Sequence, residues 1–383
     1  MRNLELTDPE LLCDPFSVYG RARQEAPLAR LVMPGGGAMW AVLRHGEARA
    51  MLVDRRFELT SASFQLRPED VPADCRPYLR TMQEMEGREH ARLRALVAPA
   101  FTAARCAGYR PRIERIAHDL LDEADDLLET FARPLPMAVI CDLVGVPEAD
   151  RPSWRSYGRA VATGDGPALI RAIPGIVAGA KAAIAARRAK PGDDLLSELV
   201  RVRDEDGDRL GDAELVTLVW NIVLAGQTPA NLIANAVAAL LQHRDQWQIL
   251  RAEPGLVPRA VEELTRWCGP QLLTIPRFPS EEVELGGERI GRGEPVTAVI
   301  ASANRDPSVF QNPDRLDVTR PAGPHLGYAH GAHYCVGAAL ARIQTEVALT
   351  AVLQRFPTLA LVGEPRYEPD PGTWRLAELP VAW

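Results

Sequence analysis

The stretch from Asp212 to His243 constrains the fold more than any other part of the chain. It reads as a single helix of about 32 residues, roughly 48 Å long at the α-helical rise. It is apolar nearly all round, and a helix with no polar face belongs in an interior. Gly226 and Pro229 sit in its middle. With 383 residues the chain is long enough for two or three domains or for one large core. No repeat, low-complexity tract or linker divides it, so the expectation is one domain spanning 1–383, built around that helix.

The flanking pattern is mostly helical. Helices are expected over His90–Phe101, Arg112–Glu129, Pro136–Val144, Ala168–Arg188 with an interruption at Pro174, Asp194–Arg203, Leu256–Cys268 and Ala338–Arg355. Ala38–Val53 suggests a strand pair followed by a helix. Val283–Ala301 suggests strands around Gly286, Gly287 and Gly291. Ser61–Gly87 has weak periodicity and three prolines, which marks a long functional loop. The fold class is therefore mainly α with small β-sheets.

Apolar residues make up 46% and charged residues 25%, a balance that lets the chain fold and argues against disorder. A net charge of -7 without a basic stripe argues against nucleic acid. No apolar run approaches the length of a membrane span, and the charged first ten residues do not read as a secretory leader. Six cysteines without a C-x-x-C pair suggest reduced, mostly buried thiols and a cytoplasmic protein.

The chemistry concentrates between His325 and Arg342, which reads H-L-G-Y-A-H-G-A-H-Y-C-V-G-A-A-L-A-R. One reading is a turn with a buried cysteine ahead of a helix. A second is a zinc site, which a lone cysteine behind a crowded histidine run fits poorly, because zinc ligands come in separated pairs. A third is a heme thiolate. A cysteine at a helix start has its anion stabilised by unpaired N–H groups and by the positive dipole end. Gly337 lets backbone amides approach the sulfur, and Gly331 allows the preceding turn.

The segment resembles the cysteine-ligand loop of the cytochrome P450 superfamily, F-G-x-G-x-H/R-x-C-x-G, with Tyr328 for the phenylalanine and Ala329 for the first glycine. Glu263-Leu-Thr-Arg266 is similar to the family's E-x-x-R helix motif, whose i, i+3 spacing puts both side chains on one face, and Arg320 would complete that structural charge cluster. Asn304-Arg305-Asp306-Pro307 and the stretch from Phe310 to Asp317 match the region before the loop. The resemblance implies the triangular-prism P450 fold of the soluble bacterial class and heme b as cofactor. Cys335 would be the axial metal ligand, with Tyr328 packed beside the sulfur. His90, Arg94, Arg277 and His333 would hold the propionates. It further implies a monomeric cytoplasmic monooxygenase of secondary metabolism that inserts one oxygen atom from dioxygen into a small organic substrate. Ferredoxin and ferredoxin reductase would supply the electrons, with Arg105, Arg110 and Arg342 as candidate docking residues.

The central helix departs from the family's A/G-G-x-D/E-T-T. It reads Ala225-Gly226-Gln227-Thr228-Pro229-Ala230-Asn231, so Thr228 stands in the acid's place and Pro229 in the alcohol's. Pro229 cannot donate to the carbonyl of Ala225, so the helix should kink there. Thr228, Pro229 and Gln227 are the candidate catalytic residues, with Asn231 behind them. Helical spacing puts Asn221, Leu224, Ala225 and Thr228 on one stripe, which by analogy would face the heme beside Gly226. Phe64, Met82, Met85, Leu273, Ile275, Thr373 and Trp374 would complete the substrate pocket. The alternatives are a peroxide-driven peroxygenase and a heme-binding protein without turnover.

Overall fold

A computed structural model describes residues 2–63, 70–162, 166–202 and 208–383, without the side chains of 159–162 and 224. In chain order its principal elements are strand β1 (Asn3–Glu5), helix α1 (Pro15–Glu25), β2 (Leu28–Val32), β3 (Ala38–Val42) and α2 (His45–Val53). Then come α3 (Gly87–Val97), α4 (Arg110–Asp122), α5 (Pro134–Leu143), α6 (Arg151–Ala162), α7 (Gly166–Ala189) and α8 (Leu195–Arg201). The long apolar segment forms α9 (Asp212–Ala225) and α10 (Thr228–Gln242). After it follow α11 (Arg244–Ala252), α12 (Val257–Cys268), β4 (Val283–Leu285), β5 (Glu288–Ile290), β6 (Val296–Ala298) and α13 (Ala338–Arg355).

These elements sort into two compact units. One is mixed α and β: Met1–Ser63, Asn231–Cys335 and Leu349–Trp383. The other is helical: Phe64–Ala230 and Val336–Ala348.

The mixed unit is organised by a sheet of order β1-β2-β3-β6. β1 runs parallel to β2 (Asn3 opposite Arg30), β2 antiparallel to β3 (Leu28 opposite Val42), and β3 parallel to β6 (Trp40 opposite Val296). Alternation along β3 feeds two cores. Met39, Ala41 and Leu43 join Tyr19, Leu31 and Val299 on one face. Trp40 and Val42 join Met51, Ile290 and Leu326 on the other. Both faces are therefore covered, and β4 and β5 form a separate hairpin.

In the helical unit, α6 packs on α7 through glycines. A Cβ on Gly175 would lie 2.1 Å from the Tyr157 hydroxyl, and one on Gly179 would lie 2.9 Å from the Trp154 ring. Pro174 does not interrupt α7, which runs through it for 24 residues. Glycines one and five positions on let the aromatic rings hold the helix where its own ladder loses a donor. α4 stops at Asp122 rather than continuing to Glu129, because the Asp126 carboxylate accepts from Leu128 and Glu129 N–H and starts a new turn, Leu127–Ala132. α3 ends at Val97, two residues before Pro99. α8 is capped by Asp194, whose carboxylate accepts from Ser197 N–H at 2.8 Å.

Contrary to the expectation from apolar runs, α7 and the Asp212–Gln242 segment are long and apolar enough to cross a membrane by length and composition. Their windows combine alanine, leucine, isoleucine and valine with scattered Gly, Pro, Asn, Gln or Thr, so the mean is high although no continuous apolar run is that long. In the second segment 65% of that window is buried.

Candidate active site

The cysteine loop lies in the mixed unit, and a buried charge cluster supports the chain that leads to it. In α12 the Arg266 guanidinium donates to both Glu263 oxygens at 2.7 Å, and Arg320 Nε donates to Glu263 Oε1 at 3.1 Å. Arg266 also donates to the carbonyls of Asn304 and Pro313 at 2.9 and 2.8 Å. Glu263 Oε1 further accepts from Asp317 N–H. Both charges of the pair are buried, a setting in which removal of one partner strands the other. Asn304 then holds the loop's entrance: its Oδ1 accepts from Leu326 N–H at 2.7 Å.

Within the loop, Cys335 N–H donates to Tyr328 O at 2.9 Å and Tyr334 N–H to Gly331 O at 3.1 Å. Ala329 adopts φ 59, the left-handed region usually left to glycine, and Gly331 adopts φ 79. A Cβ on Gly331 would lie 2.7 Å from the Leu52 carbonyl. His325 and His330 are held by side chains and backbone around the loop. His325 Nδ1 accepts from Gly327 N–H, and its Nε2 faces Glu262 at 3.2 Å. His330 Nε2 accepts from Arg49 at 3.0 Å, and burial together with the charge of Arg49 holds its pKa below the ordinary histidine value. Among the described residues no three His, Cys, Asp or Glu side chains converge as a metal cluster, so the zinc reading has no donor set.

The thiols separate by environment. Burial raises the pKa of Cys75, and it pushes Cys106 and Cys141 up to about 11 and Cys268 up to about 12. These four stay protonated at neutral pH. Cys335 is exposed, as is Cys13 near the N-terminus. α13 begins three residues after Cys335. Apart from Gly337 itself and its chain neighbours, no described residue has an atom within 4 Å of where a Gly337 Cβ would be, and Gly337 does not hold a positive φ. Neither the backbone nor a protein neighbour demands glycine there. An accessible thiol with a bare glycine two residues on fits a flat macrocycle carrying a metal.

Arg277 is buried in the mixed unit and donates to Leu52 O at 3.2 Å. His333 is half-buried. In the helical unit, His90 is buried and Arg94 half-buried, one turn apart on the same face of α3. Arg105 and Arg110 pair with Glu198 and Glu346, which lowers the local positive charge they could offer a partner.

The long helix breaks at Gly226–Gln227. Gly226 N–H still reaches Ile222 O at 2.8 Å, four residues back, but Ala230 N–H reaches only three residues back, to Gln227 O at 3.0 Å. Pro229 accounts for the opening, since it has no N–H to give Ala225. A Cβ on Gly226 would lie 2.2 Å from Ile140 of α5, so the turn is pressed against that helix. Ala225 is exposed, Thr228 half-buried and Gln227 buried.

Ahead of the break, the helical unit encloses a cavity of about 210 Å³. Met82, Met85 and Asn221 line it together with Leu93, Val97, Thr217 and Leu218. Its lining also carries Arg80 paired with Glu89, and Glu214, which accepts from Arg92 at 2.6 Å. Thr217 was legible as the residue one turn before Asn221 on the same stripe. Leu93 and Val97 were legible as the apolar positions three and seven residues after His90.

Phe64 lies outside the described residues, as does the side chain of Leu224. Trp374 packs in a core of the mixed unit: it is 8% exposed, stacked on Tyr367 at 3.9 Å and edge-on to Phe16. The Thr373 hydroxyl donates to Asp370 at 2.9 Å and fixes its own turn. Leu273 packs on the same core, and Ile275 is half-buried on the segment that follows.

The family model for cytochrome P450 matches residues 177–372. The monooxygenase PikC of Streptomyces venezuelae is 39% identical over 98% of this chain and 92% of its own. The mycinamicin IV hydroxylase/epoxidase of Micromonospora griseorubida is 38% identical over 95% of this chain and 94% of its own. Among solved structures, the ligand-free P450 monooxygenase TamI superposes with a TM-score of 0.90 at 36% identity, covering 99% of this chain and 93% of that one. The chain belongs to the cytochrome P450 family, with its mainly helical fold, and is a P450 monooxygenase. The family carries heme, and its bacterial members act on small molecules and usually need redox partners.

Proposed function

We propose that this chain, as one heme domain over 1–383, hydroxylates or epoxidises a small natural-product intermediate. The names of its relatives support the substrate class: the mycinamicin enzyme is a hydroxylase/epoxidase, and a polyketide-biosynthesis P450 of Bacillus subtilis is 35% identical. The observation that carries the reading is the cysteine loop, whose turn keeps two positive-φ residues ahead of an exposed thiol.

Heme b, when bound, supplies dioxygen activation. Cys335 ligates it, and a thiolate donates more electron density than a histidine would. Tyr328 packs beside the sulfur. His90, Arg94, Arg277 and His333 neutralise the propionates, while the exposed Ala225 offers a small side chain to the macrocycle and Gly226 beside it lets the turn press against Ile140. Met82, Met85 and Asn221 bind substrate, with Leu224 on the same stripe. Substrate entry there displaces water from an apolar lining and leaves the Asn221 amide for one polar group. Thr228 opens α10 at the broken turn, and its hydroxyl holds the proton that the usual acid–alcohol pair would deliver. Ferredoxin and its reductase supply electrons. The protein works as a cytoplasmic monomer.

The experiment is turnover with mycinamicin IV as probe, ferredoxin, ferredoxin reductase, NADPH and isotopically labelled dioxygen. One labelled oxygen in the product supports the monooxygenase. The absence of the usual relay pair favours a second reading, a peroxide-driven cycle. Product formed from peroxide alone, and none with the electron chain, selects that reading.

A further inference from the structure

The cavity beside Asn221 lies between two walls that one guanidinium joins. α3 gives Glu89, Leu93 and Val97 to the first wall, and the start of α9 gives Ala213, Glu214 and Thr217 to the second. Arg92 follows Glu89 by three positions and precedes Leu93, so it stands at the edge of the first wall. Its Nη1 donates to Glu214 Oε1 at 2.6 Å. Its Nη2 donates to Asp208 Oδ1 and to the Arg209 carbonyl, each at 3.1 Å, and its Nε donates to the other Asp208 oxygen. Glu214 Oε2 meanwhile accepts from Gly211 N–H at 2.7 Å and closes the first turn of α9. The strap is therefore anchored on the start of the helix itself. Among the described residues the backbones of α3 and α9 scarcely approach each other, so side chains set their spacing here. All three charged groups of the strap are partly exposed, and salt weakens such pairs.

The space between the walls is about 210 Å³. Pockets that enclose a drug-sized ligand run from roughly 300 to 1,000 Å³. A small ligand fits between the walls as they stand. A bulky one enters only if they part, and parting them breaks the strap. We propose that Arg92 is a specificity-determining residue: it sets the width of this cavity and so the size of the substrate that the enzyme accepts. This rests on the reading of the cavity as the substrate site. A bulky molecule binds at the cost of the Arg92 ion pairs, and a slim one does not. Selectivity is a difference between two affinities, and the strap is the element that works against the larger ligand. Arg92 acts through the two walls and touches neither substrate nor cofactor.

The test uses the heme-loaded full chain and two azoles that ligate iron and shift its absorption: imidazole, and clotrimazole with its three aryl rings. Each is titrated to equilibrium in low and in high sodium chloride. The wild type should bind clotrimazole about fivefold more tightly in high salt, where the strap is screened, and imidazole equally in both. Arg92→Gln should bind clotrimazole about fivefold more tightly in low salt, lose most of the salt response and leave imidazole unchanged. Arg92→Lys keeps the charge without the planar fork and should fall between the two. Asp208→Asn, which weakens the strap from its other end, serves if Arg92→Gln does not load heme. A residue that only held the fold would weaken both azoles together when replaced. Equal effects on the two azoles, or none on clotrimazole, overturn the proposal. Wild-type protein whose spectrum imidazole does not shift overturns the heme reading beneath it, so the two failures are distinct.

Discussion

Two stretches of this chain depart from the cytochrome P450 pattern, and the backbone answers them differently. In the cysteine loop Ala329 replaces a glycine, yet the turn keeps its left-handed geometry at φ 59. The Cys335-to-Tyr328 bond closes it from within, and the Asn304-to-Leu326 bond and the Glu263 cluster hold it from outside. In the long helix Pro229 replaces an alcohol, and the ladder opens between Ala225 and Thr228. A loop fixed by tertiary hydrogen bonds takes up an unsuitable residue as local strain. A helix fixed by its own i→i−4 bonds cannot take up a missing donor and changes shape.

The largest expected effect attacks the loop's support. Glu263→Gln leaves two arginines facing a neutral amide in a buried site, and denaturant unfolding should report a loss of about 3–5 kcal/mol. A loss under 1 kcal/mol would show that the loop does not depend on the cluster.

The break comes next. Pro229→Ala restores an N–H to Ala225, and closing the turn should raise stability by roughly 1–3 kcal/mol while product formation falls. If activity survives the closed helix, the opening is incidental to the chemistry.

Ala329→Gly should stabilise by about 1 kcal/mol by removing the left-handed penalty of a Cβ, less the entropy glycine adds to the unfolded chain. Ala329→Val should destabilise. Opposite signs in thermal unfolding would locate strain in the loop, and equal signs would remove it.

The smallest effect is in acid. Burial pushes the Asp306 carboxyl up, but hydrogen bonds from His45 N–H, Ser308 N–H and the Ser308 hydroxyl outweigh it and hold the pKa below the ordinary aspartate value. A group depressed on folding stabilises fully above its unfolded pKa of about 3.9 and loses that contribution as pH falls through the lower folded value. Unfolding scans between pH 7 and pH 2 should lose stability through that window, and Asp306→Asn should remove its share of the loss.

Much of this was legible beforehand because it rests on local rules. The i, i+3 spacing of Glu263 and Arg266 pairs them on any helix, and Pro229 opens any ladder. The apolar stripe also gave Asn221. Other features depend on which neighbours the chain brings together. The ring packing of Trp374 on Phe16 and Tyr367, and the Thr373 bond to Asp370, join residues far apart in sequence or in a tight turn, and residue type alone does not announce them. Gln227 lies about 100° from Thr228 on a regular helix, but the break turned it toward Gly158, which no periodicity contains. Pro174 passed inside a continuous helix because Trp154 and Tyr157 pack on the glycines after it.

The central claim is that the preserved loop presents Cys335 to the heme iron as a thiolate. The absorption spectrum of the reduced full-length protein under carbon monoxide tests it most directly. The wild type should show the red-shifted Soret band of thiolate ligation, and Cys335→Ala should lose that band. A variant that keeps the band, or a wild type that never shows it, would contradict the assignment.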